Sequence, residues 1–144
     1  MKKTIDNQIK ELKKIIIQMN DMNKINNNFS EDEVKESLKL GKKFYTILKT
    51  LLNSEEGIIS LIKLMDDDNS VVCFVVARNL YPIFPSKTMK IMKNYLTQVN
   101  DKLEKMRVQD VIEGFQSNQK VFMEQFKRLY NVEDLDSLNR ENDL

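Results

Sequence analysis

Asp66, Asp67 and Asp68 put three carboxylates in consecutive positions, followed at once by Asn69 and Ser70. Oxygen ligands at that density could hold a hard cation. Two carboxylates could divide acid and base roles, and the cluster as a whole could meet a basic partner. The first chemistry fails on spacing: a calcium loop alternates its ligands, turns on a central Gly and closes with a Glu, and both are missing here. The second lacks its usual companions. The chain has no His, which removes the commonest general base and metal ligand, and with them any Ser-His-Asp or Cys-His arrangement. The single Cys73 lies in the apolar run Val71-Val72-Cys73-Phe74-Val75. It reads as a small buried hydrophobe, because a nucleophilic thiol needs a cation or base beside it. We therefore expect no catalytic residue, no metal site and no cofactor. A carboxylate pair assembled in space is the enzymatic alternative, since 22 acidic residues allow many pairings. Two readings are left for the triplet: punctuation of a turn between helices, and an acidic patch open to a basic partner.

Composition narrows the class. A chain of 144 residues that is 41% hydrophobic has the size and apolar content of one domain with its own core. Three Gly and two Pro are too few for a turn-rich β protein, and the Leu, Ile, Lys, Glu and Met usage favours helix. A net charge of +1 and the absence of Trp argue against a nucleic-acid surface, which wants a basic field and stacking aromatics. Lys39, Lys42, Lys43 and Lys49, and then Lys87, Lys90 and Lys93, are spaced as solvated helix faces. The eight Met residues read as core filler, with an adaptable binding groove as the alternative. Met1-Lys2-Lys3-Thr4 is basic but leads into no apolar stretch, and Ile15-Ile16-Ile17 is short and preceded by Lys13 and Lys14. Neither a signal peptide nor a membrane span is expected. With one Cys and no internal disulfide, the expected location is the cytoplasm.

The periodicity predicts about six or seven helices. Ile5, Ile9, Leu12, Ile16 and Met19 form a stripe along a first helix over 4–26, widened by Ile15 and Met22 and ended by Asn26-Asn27-Asn28. That stripe packs internally or against a second copy, and it is long enough to dock on the next helix. Ser30 and Glu33 have capping-box spacing for a second helix. There Val34, Leu38, Gly41, Tyr45, Leu48 and Leu52 share a face, widened by Leu40, Phe44, Ile47 and Leu51, as in a central helix. Asn53-Ser54 stops it, and Ser54 caps a third helix with Ile58, Ile59, Leu61, Ile62, Leu64 and Met65. After the turn at 66–70, capped by Asp68 or Asn69, a fourth helix runs to Leu80. Pro82 and Pro85 predict an extended connection. A fifth helix follows Ser86, with Met89, Met92, Leu96 and Val99, and Asn100-Asp101 closes it. A sixth carries Leu103, Met106, Val111, Ile112 and Phe115, and a seventh Val121, Phe122, Phe126 and Leu129. A break is expected over Gly114 to Asn118, with one long bent helix as the alternative. The domain is expected over 1–130, and 131–144 forms an acidic tail with Glu133, Asp134, Asp136, Glu141 and Asp143.

The hairpin from Leu64 to Leu80 resembles a HEAT-like repeat: a helix ending in Leu, an Asp-containing turn, then Val72, the small pair Val76 and Ala77, and Leu80. Cys73 stands where the repeat carries an Arg that ties neighbouring turns together. The wider stretch from about Lys35 to Asn118 resembles small bacterial HEAT-like helical proteins, including immunity proteins found beside polymorphic toxins, with Pro82, Pro85 and Phe115 in suitable places. The resemblance implies an all-α fold, a short HEAT-like α-solenoid of antiparallel helices. It also implies a function in binding rather than catalysis: an immunity protein that blocks a cognate toxin, for instance a nuclease. The partner-binding residues expected on that reading are Asp66, Asp67, Asp68, Glu104 and Glu113, with Glu55, Glu56 or the tail adding to the patch. The expected partner is a basic toxin domain, bound without direct nucleic-acid or membrane contact, by a monomer or weak dimer. An adaptor with no toxin partner is the alternative function, and a carboxylate hydrolase on the same scaffold the third.

Overall fold

Apolar residues recur at spacings of three and four through most of the chain, and the computed structural model is helical accordingly. It describes residues 2–25 and 30–132. Among them are seven helices and no strand: α1 Lys2–Ile25, α2 Glu31–Leu52, α3 Glu55–Leu64, α4 Ser70–Leu80, α5 Pro85–Gln98, α6 Lys102–Ser117 and α7 Gln119–Tyr130. The fold is all-α, and this succession of helices and short turns is compatible with a helical repeat. The Asn run at 26–28 and the acidic residues at 133–144 lie outside the described residues. Residue contacts divide the chain into two compact units, Met1–Val72 and Cys73–Leu144.

In the first unit α1, α2 and α3 pack on one another. Leu12, Ile15 and Ile16 of α1 are buried, as are Leu40, Phe44, Leu48, Leu51 and Leu52 of α2, and Ile58, Leu61, Ile62 and Leu64 of α3. Each such side chain is worth about 1.5–3 kcal/mol of transfer free energy. The ends are defined by their caps. The Ser30 hydroxyl accepts from the Glu33 N–H at 3.2 Å, and the Ser54 hydroxyl from the Gly57 N–H at 3.0 Å, each satisfying a donor the first helical turn leaves open. Gly57 is also where α3 meets the end of α2. A Cβ there would overlap the Leu51 carbonyl, so only Gly fits.

The buried face of α2 differs from the expected one. Val34, Leu38 and Tyr45 are 45%, 63% and 44% exposed. The buried set Leu40, Phe44, Leu48 and Leu51 repeats at four, four and three and is rotated to one side of the longer apolar stripe. With nine or so apolar residues on α2, two overlapping periodic faces are available, and α1 and α3 cover only one of them.

In the second unit α5 packs on α6 and α6 on α7. Val76, Ala77 and Leu80 of α4 are fully buried, as is Val72 at the end of the first unit, so the four hairpin positions behave as expected. Cys73 is half-buried rather than buried, since it stands one position off that stripe. Pro82 does not lead into an extended connection. Ile83 and Phe84 donate to the Leu80 carbonyl, both at 3.0 Å, in a tight turn. Pro85 then opens α5, where its missing N–H costs nothing and its fixed φ suits the helix. Asp101 does not close α5, which ends at Gln98; it caps α6 by accepting from the Glu104 N–H at 3.0 Å. Gly114 lies within α6, and the interruption is Asn118 alone, so α6 and α7 are separate helices. Aromatics line this unit: Tyr81 stacks on Phe115 at 4.4 Å, Phe122 meets Phe115 edge-on at 4.6 Å, and Phe74 stacks on Tyr95 at 4.6 Å. Burial raises the pKa of both Tyr81 and Tyr95, and Glu104 adds to the shift at Tyr95. Leu103 and Met106 of α6 and Val121 and Leu129 of α7, expected on the apolar faces, are exposed. The faces actually buried carry Val108, Ile112 and Phe115, then Phe126 and Tyr130. Asn131 ends α7 in the left-handed region at φ 54°, a conformation Asn tolerates.

Candidate acidic binding surface

The turn between α3 and α4 is built by its own polar side chains. Met65, Asp66 and Asp67 donate back to the carbonyls of the last turn of α3. Asp67 Oδ2 then accepts from the Asn69 N–H at 3.0 Å, an Asx-type turn. Asn69 Oδ1 accepts from the N–H groups of Val71 at 3.0 Å and Val72 at 3.3 Å. Of the two capping candidates, Asn69 is therefore the cap of α4. Asp67 is further tied to α1, where Lys13 Nζ lies 3.1 Å from Asp67 Oδ1. The Asn69 N–H holds the Asp67 pKa below its ordinary value, helped by the charge and hydrogen bond of Lys13 and opposed by partial burial. Asp67 is thus a half-buried structural carboxylate, whereas Asp66 and Asp68 are exposed on either side of it.

Asp67 also belongs to a cleft between α1 and α3, about 520 Å³ in volume. Its apolar lining is Ile5, Ile9, Ile59 and Leu64. Ile5 and Ile9 are half-buried, Leu64 is buried, and Ile59 is 44% exposed. Asp6, Glu56 and Asp67 supply carboxylates around it, and Lys63 is the cation among the lining residues. With Asp67 already paired to Lys13, Asp6 and Glu56 stand against Lys63 on an isoleucine floor, a slight acidic excess that suits a cationic group carried beside an apolar one. The cleft was not foreseen. Ile5 and Ile9 were legible as the first two residues of the α1 stripe, but their meeting with Glu56 and Ile59 on α3 has no signal in the local sequence.

The remaining expected residues lie in the second unit. Glu104, partly exposed, is 3.9 Å from Arg107. Glu113 is exposed and accepts from Gln109 Nε2 at 3.3 Å. They stand nine positions apart on α6, which at about 100° per residue sets them on opposite sides of the helix. One surface cannot contain both. Glu55 and Glu56 open α3 and are exposed, with Glu56 at the cleft. Among the described residues no three acidic or Cys side chains converge as a metal site would require. No helix among them is long and apolar enough to cross a membrane.

No family model, no curated protein and no solved structure matches this chain.

Proposed function

We propose that this chain is a non-catalytic protein-binding module that neutralises a basic protein, in the manner of the toxin-blocking immunity proteins that the stretch from about Lys35 to Asn118 resembles. The observation that carries the reading is the double placement of Asp67, which is part of the acidic turn and of the cleft lining at once. The turn and the cleft therefore adjoin through Asp67, and Asp66 and Asp68 are exposed on the turn at either side of it in sequence. A partner's Lys or Arg meets the carboxylates while a neighbouring apolar side chain enters between Ile5, Ile9 and Ile59. For a nuclease partner, the carboxylates occupy the basic groove that otherwise takes phosphates. Charge complementarity speeds encounter and makes it salt-dependent, and the apolar contact slows release. Lys13 and the Asn69 N–H hold Asp67 in place beforehand, which lowers the ordering cost of binding. Glu104 and Glu113 are not required by this surface.

The test is expression of the neighbouring gene's product with and without this chain. The reading expects growth arrest that this chain relieves and that the Asp66→Lys/Asp68→Lys variant does not, although the variant folds. A harmless neighbour, together with recovery of several housekeeping proteins on the tagged chain, moves the assignment to an adaptor.

A further inference from the structure

The cleft between α1 and α3 is an elongated groove. Its α3 lining is Glu56, Ile59, Ser60, Lys63 and Leu64. These are the i, i+3, i+4, i+7 and i+8 positions of one helical face, which extends about 12 Å along the axis. On α1 the lining is Ile5, Asp6 and Ile9, little more than one turn. The two walls run in the same direction. Lys13, two turns past Asp6, pairs with Asp67 beyond the end of α3, while Asp6 lines the groove beside the α3 residues that start at Glu56. With the opposite direction, Asp6 would lie past the end of α3. Charge is unequal along the groove. Asp67 is neutralised by Lys13, which leaves exposed Asp6 and Glu56 toward the start of α3 and exposed Lys63 about 10 Å beyond Glu56. Ser60, between Glu56 and Lys63, donates its hydroxyl back to the Glu56 carbonyl at 2.9 Å. The middle of the groove is therefore short-chained and bordered by Ile5, Ile9 and Ile59.

The neutralising reading above is the premise. On it, we propose that the basic partner enters this groove as one amphipathic α-helix, antiparallel to α1 and α3, and so makes a four-helix arrangement with α1, α2 and α3. Walls made of helices offer an extended segment no strand edge to pair with, whereas a helix satisfies its own backbone. Aliphatic side chains of that helix cover Ile5, Ile9 and Ile59. A Lys or Arg in its last turn meets Asp6 and Glu56, and a Glu or Asp two turns earlier meets Lys63. Acid at the start and base at the end is also the polarity that a helix dipole favours. A helix parallel to α3 would need the reverse. The recognised face therefore reads acid, two aliphatics at i+3 and i+4, and base at i+7.

The probe is a capped alanine-based peptide of about sixteen residues carrying Glu, Leu-Leu and Arg at that spacing. It is titrated into the full chain and followed by the isoleucine methyl resonances. The methyl signals of Ile5, Ile9 and Ile59 should shift and approach saturation by about 1 mM peptide, and transferred NOEs should show the bound peptide helical. Ile59→Asp should abolish the shifts. Lys63→Glu should weaken binding about fivefold, and a peptide with Lys in place of its Glu should restore it. Circular dichroism should show both variants folded. No methyl shift at that concentration, an extended bound peptide, binding that survives Ile59→Asp, or a charge swap that restores nothing overturns the proposal. Growth rescue separates this from its premise. Rescue that Ile59→Asp leaves intact overturns helix docking in the groove and keeps the neutralising reading. Peptide binding by a chain that relieves no growth arrest upholds helix docking and removes that reading.

Discussion

At the turn after α3, Asp67 is fixed by the Asn69 N–H and Lys13, and Asn69 in turn fixes the start of α4. Along the outer face of α2, by contrast, Val34, Leu38 and Tyr45 are among the most exposed large apolar residues of the same unit. One surface is acidic, short and over-determined by local hydrogen bonds. The other is apolar, flanked by Lys35, Lys42 and Lys49, and runs over three helical turns. The difference separates two ways a surface becomes specific. The turn presents charge in a geometry the fold already holds, so a partner spends little ordering it. The helix face presents area whose partner must supply both shape and counter-charge.

The two glycines give the sharpest contrast. Gly57→Ala drives a Cβ into the Leu51 carbonyl where α2 meets α3, so it should cost about 3 kcal/mol of unfolding free energy, read as a lower urea midpoint. Loss of the α4 cap comes next: Asn69→Ala should cost about 1 kcal/mol in the same assay, with the acidic turn loosened at the same time.

Asp67 contributes a pH-dependent part. Its folded pKa lies below the ordinary value of 3.8, so its stabilisation is present above that value and is lost as pH falls through the folded one. The stability difference between wild type and Asp67→Asn should be full at neutral pH and should vanish in acid, below the folded pKa. Denaturant melts across pH 2 to 7 check this, and a difference that grows on acidification contradicts the sign. The smallest effect is on the other surface. Gly41→Ala should stabilise by about 0.5–1 kcal/mol, since the open side of α2 accommodates the methyl group.

These particulars also mark how far the sequence could be read. Ser30 and Ser54 announced the starts of α2 and α3, and Val72, Val76, Ala77 and Leu80 announced the buried side of α4, because caps and periodicity act within a few residues. The face of α2 was legible only in part, for the same reason in reverse: Leu40, Phe44, Leu48, Leu51 and Leu52 are buried as expected, whereas Val34, Leu38 and Tyr45 are exposed. Periodicity marks which residues can be buried together, and only the neighbours decide which are. Pro85 reads as part of a connector and Asp101 as the close of α5, yet each opens a helix, since Pro suits the first helical position and Asp at a cap serves a following helix as readily as it stops a preceding one. The pairing of Lys13 with Asp67, the close approach at Gly57 and the cleft of Ile5, Ile9 and Ile59 join distant segments, and nothing in their local sequence signals them. The acidic triplet was legible as a group, but the division into one structural carboxylate and two exposed ones needed the hydrogen bonds.

The central claim is that a basic partner binds at the acidic turn and its cleft. The most direct measurement is parallel capture on tagged wild-type chain and on the Asp66→Lys/Asp68→Lys variant from the native cells, with mass spectrometry of the eluates. The account predicts one stoichiometric basic protein on the wild-type chain, lost from a variant that unfolds at the same temperature. Equal recovery of that protein on both chains would contradict it.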